Sequence, residues 1–219
     1  MPRIIKSAKG TFTASTVTID GSGRVIAAAS GSGGANMQLV RATKGPASGN
    51  FVANPNASKF QAYVYAPGGG GGGGGGRNPG GSGGAGGFGF FSGDVTGGTT
   101  YAFAIPAGGT GGAGGGGTGS TGSAGSACTI ANLVTTNGGN GGGGGFPQTD
   151  QPNGSNGTDG SAPGAESENF TRGFLWAPSD LSPTPLGQGG GGGPGPANGQ
   201  PQAGTTGGPG GIILYENSH

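Results

Sequence analysis

The chain has 219 residues, of which 63 are glycine, 29% are hydrophobic and 8% are charged, so we do not expect a conventional apolar core throughout. The net charge is +1 and no basic run is present, which argues against nucleic-acid binding. A single cysteine, Cys128, excludes an intramolecular disulfide framework and a cysteine zinc site, and is itself expected to be a small buried residue.

The sequence of the first third of the chain predicts short β-strands. Residues 11–19 and 24–29 are rich in β-branched and small side chains and flank a turn at 20–23. Further strands are expected over 37–42, 49–55 and 59–66, the last with alternating tyrosines. We expect residues 1–48 to form an N-terminal β segment for attachment or oligomerisation. Residues 49–219 would form a glycine-rich domain whose terminal strands, 59–66 and 211–216, pair with each other.

Nine consecutive glycines at residues 68–76 are the centre of the second part. Such a run forms neither a stable helix nor an ordinary strand, because glycine loses the most backbone entropy and has no side chain to pack. Related tracts recur at residues 108–117, 138–145, 189–193 and 207–211. Between and within them the sequence repeats every three residues, as in GGS-GGA-GGF and GSN-GTD-GSA.

A period of three is typical of polyproline II, an extended helix with about 3.1 Å rise per residue and no internal hydrogen bonds. When the side chains are hydrogen, neighbouring helices can approach to backbone contact and bond laterally. The predicted fold is therefore a mainly β N-terminal part followed by a polyglycine-II (PPII) helix bundle, with short β-hairpins and loops and essentially no α-helix. Collagen and plain disorder are the alternatives, but the triplet register breaks too often for collagen.

Aromatic segments interrupt the glycine tracts. Residues 88–94 and 99–105 are predicted to form a β-hairpin across 95–98, with aromatic side chains that cap one end of the bundle. The closing segment, residues 211–216, contains three consecutive aliphatic residues followed by a tyrosine. These segments would supply the small apolar core that the glycine tracts cannot.

Catalytic chemistry has little support. The only histidine is His219 at the end of the chain, so no Ser-His-Asp or Cys-His set is expected. Patterns such as GxGxxG recur because glycine is common, and none lies between a strand and a helix. We predict no enzyme activity, no cofactor and no metal. No stretch resembles a signal peptide or is long enough to cross a membrane, so we expect no membrane insertion.

Loops on a rigid scaffold are candidates for recognition. The strongest segment carries Phe170, Arg172, Phe174 and Trp176, because aromatic anchors and a guanidinium group are frequent at binding surfaces. The alternative is that its aromatic side chains only cap the bundle.

Four further residues are secondary candidates for binding: Arg77, Asn78, Phe146 and Asp150.

Two motifs carry a resemblance to a known family. The segment GDVTGGTTYAFAIPAGG and the closing GGPGGIILYE, together with a strand that enters polyglycine, resemble the glycine-rich domain of bacteriophage tail-fibre proteins over residues 49–216. The plan is similar to the adhesin at the tip of T-even-type long tail fibres. The resemblance implies a layered bundle of polyglycine-II helices whose end loops contact the host surface.

The resemblance also implies partners and location. Residues 1–48 would bind other virion proteins of the fibre or capsid, and the loops would bind a host cell-surface glycan or outer-membrane protein. We expect a homo-oligomer, with a trimer as one arrangement, located in the virion after assembly in the host cytoplasm. Two alternatives stay open: a purely structural virion-surface or filament protein, and an ice-binding protein with a flat glycine-triplet face.

Overall fold

A computed structural model of the chain describes residues 16–19, 25–29, 37–148, 152–161, 186–195 and 200–217. Within these residues the fold is mainly β, as predicted, and contains no helix. Accordingly, no helix in the described part is long and apolar enough to cross a membrane.

The described strands form three antiparallel sheets. β1 and β2 pair as a separate hairpin, which confirms the predicted pair on either side of residues 20–23. The other strands form two four-stranded sheets in the orders β3-β10-β5-β6 and β4-β7-β8-β9, here called the first and second sheets. The strands are β1 (Thr16–Ile19), β2 (Val25–Ala29), β3 (Met37–Lys44), β4 (Ala47–Val52), β5 (Lys59–Tyr65), β6 (Phe88–Asp94), β7 (Thr100–Ile105), β8 (Cys128–Ile130), β9 (Val134–Thr136) and β10 (Gly211–Asn217).

β10 brings the end of the chain into the middle of the first sheet. It pairs with β5 on one side, where Ile213 lies opposite Tyr63, and with β3 on the other. The predicted pairing of residues 59–66 with 211–216 is thereby confirmed. β3 lies on the N-terminal side of residue 48 and shares this sheet; the division into 1–48 and 49–219 stays a prediction.

The apolar core lies between the two four-stranded sheets. Phe60, Ala62 and Val64 of β5 are fully buried in it, because alternate residues of a strand face the same side. The rings of Phe51 and Tyr101 lie 5.2 and 5.3 Å from that of Phe60. The second sheet and β10 contribute the other large buried side chains: Phe103, Ile105, Ile130, Cys128, Ile212 and Leu214.

Asn217 closes one end of this core. Its Oδ1 accepts hydrogen bonds from the backbone N–H groups of Ser58 and Lys59, at 2.9 and 2.8 Å. Its Nδ2 donates to Ser58 Oγ at 2.9 Å. The buried amide thus ties the end of β10 to the start of β5, and its polar atoms are satisfied as buried polar groups require.

The predicted hairpin between residues 88–94 and 99–105 is wrong. β6 pairs with β5 in the first sheet, whereas β7 pairs with β4 and β8 in the second. The connection between them therefore passes from one sheet to the other instead of turning back. The physical reason is burial: Phe103 and Ile105 of β7 lie in the core, and core packing requires β7 to face the first sheet rather than extend it.

Eight extended tracts, called the glycine array, account for most of the remaining described residues. Tract 1 follows β5 and is buried along residues 66–75. The tracts are tract 1 (66–76), tract 2 (80–87), tract 3 (106–115), tract 4 (119–127), tract 5 (137–145), tract 6 (152–161), tract 7 (187–195) and tract 8 (200–210).

Backbone hydrogen bonds from tract 1 repeat every three residues. Gly68, Gly71 and Gly74 donate to tract 8 at 2.9–3.0 Å, and the glycines between them donate to tracts 2 and 4. Tracts 3, 5 and 7 in turn donate to carbonyl groups of tract 1. Tract 1 is therefore hydrogen-bonded to six neighbours, and its peptide groups find partners without a sheet.

The six neighbours also bond to one another in the closed order 2-7-8-3-4-5-2. Tract 6 lies outside this ring, bonded to tracts 2 and 5. Gly69 pairs with Gly84 and Gly72 with Gly81, so tract 2 runs antiparallel to tract 1. Tract 3 runs parallel to it, because Gly109 and Gly112 donate to Gly68 and Gly71. Around the ring, successive tracts alternate between running antiparallel and running parallel to tract 1.

The close approach explains the glycine content. A Cβ added at any of residues 68–75 would lie within 2.2 Å of a carbonyl oxygen of a neighbouring tract. Real side chains do not tolerate such a distance, so these positions accept only glycine.

Candidate functional site

The chain path places three described segments at the end of the array farthest from the sheets. Tract 1 leaves β5 and tract 2 returns to β6, while tracts 3 and 4 do the same between β7 and β8. The tip surface consists of residues 77–79, which join tracts 1 and 2, residues 116–118, which join tracts 3 and 4, and residues 146–148, which follow tract 5. Residues 149–151, which lead on to tract 6, are outside the described residues. The connection at 196–199, between tracts 7 and 8, lies outside the described residues.

Hydrogen bonds tie the tip connections to each other. The N–H groups of Arg77 and Asn78 both donate to the carbonyl of Phe146, at 3.3 and 3.2 Å. The Asn78 side-chain amide donates to the carbonyl of Gln148. Gly76 N–H donates to Gly117 O at 2.8 Å. Three of the residues predicted to bind, Arg77, Asn78 and Phe146, are therefore brought together at one end of the molecule.

Arg77 gives the tip surface its charge. It is exposed, and no other charged side chain occurs among the residues described at this end. Asn78 and Phe146 are half-buried beside it. The arrangement offers a guanidinium group, an amide and an aromatic ring on a backbone fixed by hydrogen bonds. Such groups bind carboxylate, phosphate or polar groups of a partner surface.

The other predicted binding residues, Phe170, Arg172, Phe174, Trp176 and Asp150, lie outside the described residues.

A groove of about 460 Å³ lies beside the tip surface, between tracts 4 and 6. Its floor is the backbone of Gly143 and Gly144 in tract 5. The side chains that line it are Thr118, Thr121, Phe146, Pro152, Asn153 and Ser155.

Of these six, sequence reasoning singled out only Phe146. The others occupy non-glycine positions in low-complexity segments. Tracts 4 and 6 are both neighbours of tract 5 and are not bonded to each other. Their proximity therefore depends on how the tracts pack around tract 5, and no sequence signal predicts it.

The described part of the chain contains no group of side chains suited to nucleophilic catalysis or to metal binding. Cys128 is fully buried, and burial raises the pKa of its thiol to about 12, so the reactive thiolate is disfavoured. No group of three or more His, Cys, Asp or Glu side chains among the described residues could hold a metal ion.

No family model matches the chain, and the search of curated proteins found no significant relative.

Proposed function

We propose that the glycine array is a bundle of polyglycine-II helices. The proposal is supported by the three-residue repeat of the donors in tract 1 and by bonds that leave it toward six neighbours. It is also supported by the backbone angles, since only Gly98 and Gly187 among the described glycines have φ in the left-handed region. A nine-residue tract in this conformation spans about 28 Å.

Scalar couplings across hydrogen bonds test the bundle in solution. We expect couplings between the amide nitrogen of Gly72 and the carbonyl carbon of Gly81, and between Gly71 and Thr205, whose donor–acceptor distances are 2.8 and 2.9 Å. Backbone shifts of residues 68–75 should indicate extended, negative-φ geometry. Absence of these couplings in a folded sample would overturn the bundle.

We infer further that the chain is a structural protein of a phage virion, a tail fibre or fibre-tip adhesin that presents loops to the host surface. The observation that carries this is the tip surface, where Arg77, Asn78 and Phe146 are held together at the end of a rigid array. Loops held by a fixed array lose little conformational entropy when they bind a partner, which favours their use in recognition. Residues 1–48 would attach the chain to other virion proteins, and copies of the chain would form a homo-oligomer.

Immunoelectron microscopy and adsorption assays test this role. We expect antibody against the chain to label fibres or their tips on intact particles. Particles carrying Arg77→Glu should adsorb to host cells more slowly, because the change reverses the charge of the tip surface. Lys59→Glu is the matched control, since Lys59 is exposed in the sheet part and pairs with Asp94 at 2.7 Å.

The outcomes separate the adhesin from the structural alternative. A purely structural virion protein predicts labelled particles whose adsorption is unchanged by Arg77→Glu, together with poor assembly when the chain is absent. Unlabelled particles would remove both virion roles.

A further inference from the structure

On one side of tract 5, no neighbouring tract is present among the described residues. Its inner sides bond to tracts 1, 2, 4 and 6, but no described residue bonds the N–H groups of Gly138, Gly141 and Gly144. These glycines are partly exposed and recur every three residues, so their peptide groups face the same side. The groove lies on this side, at Gly144 and toward the tip. It occupies a position between tracts 4 and 6 where no described tract lies.

Side chains line both walls of this position. Over residues 68–75, tract 1 presents only glycines to its neighbours, because an added Cβ would lie within 2.2 Å of a carbonyl oxygen. The open position is instead flanked by Thr118 and Thr121 on one wall and by Asn153 and Ser155 on the other. The groove therefore suits a small ligand that contacts these side chains as well as the backbone of tract 5.

The lining defines the chemistry of that ligand. Hydroxyl groups, one amide and the peptide group of Gly144, which no described residue bonds, offer both donors and acceptors, while Phe146 and Pro152 offer an apolar surface. None of the lining side chains that the structure describes is charged. The volume of about 460 Å³ lies within the range of small-molecule sites. We propose that the groove binds an uncharged pyranose residue of a surface glycan, which deepens the proposed adhesin role and rests on it.

The site is already ordered before a ligand arrives. Gly119 N–H donates to Gly145 O at 2.8 Å, which fixes tract 4 on tract 5. Gly143 N–H donates to Ser155 O at 2.7 Å, which fixes tract 6 on the other side. Because the walls are held by backbone bonds, binding orders few protein groups and weak polar contacts suffice for a measurable affinity.

An NMR titration of the full chain tests the site. The probes are the methyl glycosides of glucose, galactose, N-acetylglucosamine and N-acetylgalactosamine, each added separately. At least one is expected to shift the amide signals of Thr121, Gly144 and Ser155. Thr121→Val should weaken that binding roughly three- to tenfold, because it removes one hydrogen-bonding group without changing the side-chain size. Thr206→Val is the matched control and should leave it unchanged, since Thr206 is exposed in tract 8, away from the groove.

Two results would overturn the proposal. One is the absence of shifts with all four glycosides in a sample whose spectrum shows the folded array. The other is binding that Thr121→Val and Thr206→Val weaken equally. Either result leaves the adhesin role standing if Arg77→Glu particles still adsorb slowly. Conversely, sugar binding by the purified chain without any effect on adsorption would retain the groove and reject the adhesin.

Discussion

At the residue scale, glycine in the array is needed for space and not for unusual backbone angles. Only Gly98 and Gly187 among the described glycines have a positive φ, at 75° and 68°. In tract 1 the constraint is the neighbouring backbone: a Cβ on Gly71 would lie 2.0 Å from the carbonyl oxygen of Gly191. Backbone packing of this kind has no side chain that could move aside.

Alanine substitutions separate the crowded glycines from the open ones. Gly71→Ala should destabilise the chain by about 3 kcal/mol or more, at the upper end of overpacking costs, because only backbone atoms can move. Gly116→Ala, at the tip, should change stability by less than about 1 kcal/mol, because no atom lies within 4 Å of its added Cβ. Urea unfolding of both variants measures the difference. Equal effects would contradict the tight packing of tract 1.

At the element scale, side-chain oxygens replace missing tract partners at the outside of the array. Asn156 Oδ1 accepts from Ser82 N–H at 3.0 Å, and Asp159 Oδ1 accepts from Ala85 N–H at 2.8 Å. Thr205 Oγ1 does the same for Gly191 N–H at 2.7 Å. In these three cases a side chain of a triplet accepts a hydrogen bond from an amide that donates to no described backbone carbonyl.

Asn156→Ala tests this contribution of the outer side chains. The Ser82 amide loses its partner, so we expect its hydrogen exchange to accelerate several-fold and tract 6 to lose about 0.5–1.5 kcal/mol of local stability. Exchange of the Gly72 amide, which donates to Gly81 inside the ring, should not change. Thr206→Ala is the control at an exposed triplet position. Unchanged exchange at Ser82 would show that water replaces the Asn156 oxygen at no cost.

The elements were predicted unevenly from sequence, for a physical reason. The pairing of β5 with β10 was predicted because both strands border glycine tracts and have their own apolar pattern. The hairpin between residues 88–94 and 99–105 was wrong because short spacing favours local pairing in a sequence. Tertiary burial of Phe103 and Ile105 overrides that preference. β8 and β9, three residues each, carry too little pattern to be predicted as a hairpin.

At the scale of the whole molecule, the neighbours of each tract could not be predicted. The triplet period indicates extended tracts, but glycine tracts have nearly identical surfaces, so their order around tract 1 depends on the whole chain path. The meeting of Arg77 with Phe146 follows from the parallel course of tracts 1 and 5, in which Gly142 donates to Gly70 and Gly145 to Gly73. The groove depends on the same order, which explains why its residues were missed.

The two halves of the molecule are stabilised by different forces and meet where the tracts begin. The sheets bury an apolar core that includes Cys128 and Ala66, and Ala66 is also the first residue of tract 1, whose burial continues to residue 75. Beyond it, peptide hydrogen bonds replace apolar burial as the source of order. Because Cys128 lies in β8, directly after tract 4, the exposure of its thiol reports on opening of the core at this junction.

This single thiol makes global opening measurable. Burial raises the pKa of Cys128 from 9 to about 12, against a smaller opposite effect of a backbone hydrogen bond at Thr129. At pH 8 the folded thiol should therefore stay protonated and enclosed, and react with Ellman's reagent only through opening. Guanidinium-unfolded chain, the control, should react at once. Fast reaction of the folded chain would contradict a closed core.

The same shift predicts how stability depends on pH. Between pH 9 and 12 the unfolded chain has lost the Cys128 proton while the folded chain retains it, so the free energy of unfolding should fall as pH rises, by at most about 1.4 kcal/mol per pH unit. Burial, with the charge of Tyr63, also raises the pKa of Tyr65, which acts in the same direction above pH 10. Cys128→Ala removes the contribution of the thiol and keeps that of the tyrosine. Urea unfolding from pH 8 to 11 should therefore give a steeper decline for the natural chain than for Cys128→Ala, and parallel curves would show that the thiol is not desolvated in the folded state.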